Sequence, residues 1–264
     1  MALAAARSHV GRVRSDNQDS GYAGAHLFVV ADGMGGHAGG DVASALTIRR
    51  LRDADREHAT AEDALEDLTG MIQAAGETLQ STMREHPELA GMGTTVSGIV
   101  RVGDRMAIAH IGDSRVYRYR VGALTQVTTD HTFVQKLVEA GRITREEAET
   151  HPRRNVVMRV LGNIETHPEV DGLIEDALPG DRWLVCSDGL SGVVGEARLA
   201  QILGQRRDAA GTADRLVQEA LSHGAPDNVT VVVVDVDASP VSSVEPQTVG
   251  SAAGEIDYEA AEPE

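Results

Sequence analysis

The chain has 264 residues, 41% hydrophobic and only 3% aromatic, which suits one large domain with a core of Val, Leu, Ile and Ala. A formal charge of −17 and a pI near 4.9 argue against nucleic acid or an anionic membrane as a partner. The single cysteine, Cys186, excludes an intrachain disulfide and a thiolate zinc site, and fits a reducing cytoplasm.

The N-terminal run Met1-Ala2-Leu3-Ala4-Ala5-Ala6 meets Arg7 too soon for a signal peptide, and no apolar run nears the roughly 20 residues of a membrane span. Residues 27–31 read as a buried strand. Asp41 reads as the N-cap of a helix carrying Val42, Ala45, Leu46, Ile48 and Leu51. A longer helix is expected over 61–84, with Leu65, Leu68, Ile72 and Leu79 as its apolar stripe and His86-Pro87 as its end. A meander follows: strands at 94–102 and 106–111 turn at Gly103-Asp104, and a third at 114–121 turns at Gly122-Ala123. In the third, Tyr117 and Tyr119 alternate with Val116, Arg118 and Arg120, the pattern of a half-buried antiparallel strand.

Residues 130–140 read as a capped helix closed by Gly141, and Thr144 with Glu147 as a capping box. From there to 162 the composition is polar and basic (Arg153, Arg154, Arg159), which predicts a mobile insert. Strands return at 167–174, 183–186 and 229–236, with helices over 196–203 and 212–222 between the last two. Antiparallel strands with helices on separate stretches predict an α+β fold of two packed sheets with helices outside. From 238 to 264 the chain is rich in Ser, Pro, Ala and Glu, with six acidic residues and no Lys or Arg, which predicts a disordered acidic tail.

Five aspartates carry the chemistry. Asp19, Asp32, Asp113, Asp188 and Asp227 each sit in a tight polar turn beside a short apolar run. Function concentrates in loops carried by strand ends, and carboxylates gathered there repel one another unless a cation sits among them. A hard-oxygen set favours Mg²⁺ or Mn²⁺ and points to metal-assisted chemistry on a phosphate. One Asp-Gly alone is a turn signal. The force lies in Asp32-Gly33 and Asp188-Gly189 both directly following apolar strands, where glycine permits close approach of backbone or ligand. Arg14, shortly before Asn17 and Asp19, is suited to bidentate capture of phosphate oxygens, and equally to a surface ion pair. Cys186 reads as a core residue, and Ser187 and Ser114 as turn residues or supports behind the site, since no partner base for a nucleophile is apparent.

These residues form an ordered set: Arg14-x-x-Asn17-x-Asp19, Asp32-Gly33-Met34-Gly35-Gly36, Gly93-Thr94-Thr95, Gly112-Asp113-Ser114-Arg115, Ser187-Asp188-Gly189-Leu190 and Asp227-Asn228. From about Ser8 to Asp237 the chain resembles the metal-dependent protein phosphatases of type 2C, the PPM family, in its bacterial branch that opposes serine/threonine kinases. The resemblance implies a four-layer α-β-β-α sandwich with a central pair of antiparallel sheets. It implies a catalytic domain over 1–237 with a flap over about 142–162, binding two to three Mn²⁺ or Mg²⁺ ions. Carried over residue by residue, Asp32 bridges two metals, the Gly33 carbonyl binds the first, and Asp188 and Asp227 complete the second. Asp19 reaches metal through water, Asp113 with Asp188 forms a third site, and Arg14 clamps the substrate phosphate.

The implied reaction is direct attack of a metal-activated water on phosphoserine or phosphothreonine, with phosphorylated proteins as partners and a cytoplasmic monomer as the setting. Met34 stands where animal members carry the His thought to protonate the leaving group. That leaves metal-bound water, favoured here, and His37 as alternatives. The basic flap, with Asn155 a neighbour of the third site, would steer phosphopeptides. Two rivals stand beside this reading. One is a relative dedicated to an anti-sigma-antagonist protein; the other is a silent scaffold that binds phosphoproteins, against which intact Asp32, Asp188 and Asp227 speak. A P-loop nucleotidase is excluded, because no Gly-Lys pair exists.

Overall fold

The computed structural model describes residues 3–35, 39–162, 168–205, 207–237 and 245–254. In chain order the strands are β1 (Ala4–His9), β2 (Asp19–Ala23), β3 (Leu27–Met34), β4 (Gly93–Thr94), β5 (Val96–Val102), β6 (Arg105–Ile111), β7 (Arg115–Arg120), β8 (Ala123–Gln126), β9 (Asp171–Asp176), β10 (Arg182–Cys186), β11 (Val229–Asp235) and β12 (Gln247–Gly250). The helices are α1 (Gly40–Leu51), α2 (Ala61–Glu85), α3 (Phe133–Glu139), α4 (Arg145–Glu149), α5 (Asp188–Ser191), α6 (Glu196–Leu203) and α7 (Ala209–Ser222). One sheet runs β1-β11-β10-β7-β8, the other β12-β2-β3-β5-β6-β9 with β4 paired to β3.

Hydrophobic patterning explains the four layers. Val231 and Val233 of β11 pack under α6 and α7, while Val232 and Val234 face the opposite sheet. A strand covered on both faces reads as an unbroken apolar run rather than an alternation. In β3, Leu27, Val29 and Ala31 pack under α1 and α2, while Phe28 and Val30 join the layer between the sheets. Each such large side chain contributes about 1.5–3 kcal/mol on burial. The α+β sandwich with antiparallel sheets and outer helices is therefore as expected.

Several local expectations are corrected. Helix α1 starts at Gly40 with Gly39 as its N-cap, and Asp41 lies in the first turn without a side-chain cap bond. The start leaves no room for a side chain, because a Cβ on Gly40 would sit 2.8 Å from the Gly33 backbone carbon. Thr132, not Asp130, caps α3, because the Arg115 guanidinium holds Asp130 through three hydrogen bonds. The insert is tied down: α4 carries the expected capping box, Val157 bridges to Thr132, and Leu161 bridges to Thr94. The strand expected at 167–174 runs from Asp171, with residue 167 outside the described residues.

The acidic tail is corrected most. Residues 247–250 form β12 and pair antiparallel with β2, and a short 3-10 turn at Ser251–Ala253 follows. Val249 packs into the layer between the sheets and Ala252 is buried against α1. Composition hid this strand, because its contacts come from the other end of the chain. Residues 238–244 and 255–264 lie outside the described residues.

Candidate metal centre and active site

The termini of four elements meet at one edge of the sandwich. Asp32 and Gly33 end β3, Asp113 sits in the β6–β7 turn, Asp188 follows β10, and Asp227 precedes β11. With Arg14 they line one cavity of about 620 Å³, whose wall also includes Met34 and, from the flap, Asn155, Val156 and Val157. Of the predicted site residues, Asp19 alone is not in the cavity wall. It is fully buried beneath, opposite Asp32 in the β2–β3 register. His37 lies outside the described residues.

The backbone explains why these carboxylates converge. A Cβ on Gly33 would meet the Gly40 carbonyl at 1.9 Å, and one on Gly189 would meet the Asn228 carbonyl at 1.8 Å, so both Asp-Gly turns are packed too tightly for any side chain. Thr94 and Thr95 clamp Asp32: both the Thr95 N–H and the Thr94 hydroxyl donate to its carbonyl at 2.9 Å, and its own N–H donates to Thr95 Oγ1 at 3.0 Å. The Thr95 hydroxyl also meets the Ser114 hydroxyl at 2.8 Å, which ties the Asp113 turn to Asp32. Asn228 Oδ1 accepts from the Gln18 N–H, and its amide donates to the Val10 and Asp16 carbonyls, so the Arg14 loop is stapled beside Asp227.

Beneath the cavity, the Ser187 hydroxyl donates to Asp19 Oδ2 at 2.7 Å and accepts from the Thr230 N–H at 3.0 Å. Asp19 thereby holds the residue next to Asp188. The sequence reading gave Thr95, Ser114 and Ser187 no partners. The available signal was a hydroxyl beside each aspartate, in Asp113-Ser114 and Ser187-Asp188.

Electrostatics show what the cavity favours. Burial, then the neighbouring Asp19, Asp188 and Asp113, pushes the Asp32 carboxyl well above the usual range. Burial and then Asp188 push Asp113 up to about 8. Burial and then Asp227 raise Asp188, against which a hydrogen bond with Asp32 acts. Burial pushes Asp19 up to about 7, despite bonds from Ser187 and Thr230, and its buried Oδ1 has no partner among the described residues. Buried carboxylates held this close favour protonation unless a cation joins them.

Arg14 donates to Asp227 Oδ2 at 2.9 Å, which raises the guanidinium above its ordinary value, with smaller help from Asp32 and Asp188. Its side chain is 55% exposed, so donors remain for a ligand in the cavity.

The donor set fits a divalent ion. It is all oxygen, with no thiolate in the wall, which selects Mg²⁺ or Mn²⁺ over softer metals. Among the described residues no group of three or more His, Cys, Asp or Glu stands at metal-holding distances from one another.

Comparison with known proteins agrees with this geometry. A family model described as protein phosphatase 2C matches residues 5–223. The serine/threonine protein phosphatase PstP of Mycobacterium tuberculosis H37Rv is 46% identical over 253 residues, covering 96% of this chain and 48% of PstP. The chain thus spans about half the length of that relative. A crystal structure of the M. tuberculosis phosphatase PstP/Ppp superposes with a TM-score of 0.85 at 47% identity, covering 89% of this chain and 98% of that one. The catalytic domain of PstP in complex with two manganese ions gives a TM-score of 0.81 at 45% identity, covering 89% and 97%. The chain belongs to the protein phosphatase 2C family.

Proposed function

We propose that the chain is a Mn²⁺- or Mg²⁺-dependent phosphatase of phosphoserine and phosphothreonine in proteins, acting as a cytoplasmic monomer against serine/threonine kinases. The observation that carries the reading is the cavity wall, where Asp32, Asp113, Asp188 and Asp227 repel one another beside the Arg14 guanidinium. In this reading Asp32, Asp188, Asp227 and the Gly33 carbonyl hold two ions, and Asp113 with Asp188 holds a third. When bound, such ions supply positive charge that lets the carboxylates ionise together, acidifies water and draws charge from phosphoryl oxygens.

Arg14 orients the phosphate through its free donors, and Asp227 fixes the direction of the guanidinium. Asp19 keeps Ser187, and so Asp188, in place from below. Met34 lines the wall and holds no transferable proton, so it serves to exclude water. The one cysteine, Cys186, is buried and its thiol is pushed up to about 12 by burial, so it plays no nucleophilic part. No helix among the described residues is long and apolar enough to cross a membrane.

The deciding experiment is release of phosphate from a phosphothreonine peptide with Mn²⁺, repeated with chelator and with Asp32→Asn. Metal-dependent turnover lost in both control arms is the expected result. Peptide binding without turnover in the wild type would instead favour the silent scaffold.

A further inference from the structure

The segment after the catalytic core grips the strand on which the acid pocket rests. Strand β12 pairs with β2 at Gln247↔Ala23, Thr248↔Tyr22, Val249↔Gly21 and Gly250↔Ser20. Beyond the ladder, the Ser251 hydroxyl donates to the Asn17 carbonyl. The Ala252 N–H donates to Ser20 Oγ at 3.0 Å. Gly250 has φ +73 and lies so close that a Cβ would sit 2.1 Å from the Asp19 carbonyl. Gln247 Oε1 accepts from the Ala6 N–H of β1, so the segment also joins the two sheets.

The gripped stretch, residues 17–20, touches three parts of the site. The Asp19 carboxylate accepts from Ser187, next to Asp188. The Gln18 carbonyl accepts from the Gly33 N–H at 3.2 Å, and its N–H donates to Asn228 Oδ1 at 2.8 Å, next to Asp227. A shift of 17–20 would therefore move all three at once. Nothing else among the described residues pairs with the outer edge of β2, because β12 ends that sheet. The gripping residues lie beyond 223, where the family model ends, yet within the stretch that aligns with PstP.

We infer that residues 247–252 are a latch whose Gly250 and Ser251 are positioning residues for the acid pocket: they seat residues 17–20 against Ser187, Gly33 and Asn228. The latch supplies no ligand and touches no substrate. The inference rests on the proposed phosphatase reading for its effect on metal, but its structural half stands without it.

The test uses the full chain with Gly250→Ala, Ser251→Ala and Ser251→Thr. Hydrogen exchange of the metal-free protein is read over 17–20 and 185–190, and Mn²⁺ affinity is read by calorimetry. Gly250→Ala is expected to speed exchange in both stretches and to weaken Mn²⁺ about tenfold, since the Cβ must displace Asp19 backbone. Ser251→Ala, the milder change, is expected to weaken Mn²⁺ about threefold, with Ser251→Thr restoring it. A matched variant, Leu203→Ala at the end of α6 beside Arg182, lowers stability at the end of β10 opposite Asp188 and is expected to leave Mn²⁺ affinity unchanged. Unaltered exchange at 185–190 in Gly250→Ala overturns the latch, as does equal weakening of Mn²⁺ by Leu203→Ala. Absence of Mn²⁺ binding in the wild type would sink the phosphatase reading instead, and the exchange arm would still decide the latch.

Discussion

At the cavity wall, Arg14 is held by a single bond to Asp227 and is more than half exposed. An exposed pair of this kind contributes at most about 1 kcal/mol to stability. The structure thus shows the ion pair, whose small worth to the fold leaves the phosphate-clamp reading to be tested by its effect on turnover. Arg14→Ala is expected to lower kcat/KM for a phosphopeptide about a hundredfold, while Mn²⁺ affinity changes less than about threefold. The opposite split, with metal affinity falling and kcat/KM of the metal-saturated enzyme intact, would return Arg14 to a structural role. Arg115 reaches the site by charge rather than by hydrogen bond, opposing the rise of Asp113 and Asp188. It follows Asp113 in sequence, yet its guanidinium points to Asp130 and the Tyr117 hydroxyl.

At the scale of elements, the Asp-Gly turns set close approaches, of β3 to the start of α1 and of the β10–α5 turn to the start of β11. The β10–α5 turn closes on the start of β11 because Gly189 leaves no atom between it and the Asn228 carbonyl. Gly189→Ala must push that turn away from Asp227 and Asn228. The expected loss is about 1–3 kcal/mol of stability, with a larger fall in Mn²⁺ affinity than an equally destabilising change in α7. A melting curve and Mn²⁺ titration like those of wild type would show that the two loops can part freely. Elements with strong periodicity were readable: α2 ends within one residue of its expected limits, and α6 spans 196–203 as expected. Strands β1, β2, β8 and β12 were not anticipated. Their Ala, Ser, Gly, Asp and Gln carry little strand propensity, and only neighbours distant in sequence make them strands.

For the whole molecule, two sets of buried ionisable groups pull stability in opposite directions with pH. Burial, and then His131, lowers His110 to about 4, so it is neutral in the fold. The unfolded chain binds its proton first, near 6.5. His110 therefore costs nothing above that value and destabilises progressively as pH falls from about 6.5 to 4. Asp19 and Asp113, raised to about 7 and 8, run the other way. Without metal, the fold holds their protons where the unfolded chain releases them near 4, so stability falls as pH rises from about 4 to 8. Between about pH 4 and 6.5 the two carboxyls outweigh the one imidazole, so these groups are expected to lower the melting temperature of metal-free protein as pH rises from about 4 to 8, and saturating Mn²⁺ to remove most of that fall while changing the acid side little. A uniform rise across pH would detach the metal from these carboxylates. What the sequence determined alone was local: apolar runs that must be buried, turns that must be glycine, and ordered Asp motifs that named the family. Tertiary structure alone decided which hydroxyl holds which aspartate, that Asp19 lies beneath the cavity rather than in its wall, and that residues 247–252 belong to the domain. The physical reason is range: periodicity and turn chemistry act over a few neighbouring residues, whereas the Asp19–Ser187 bond and the β12–β2 ladder join residues 168 and more than 220 positions apart.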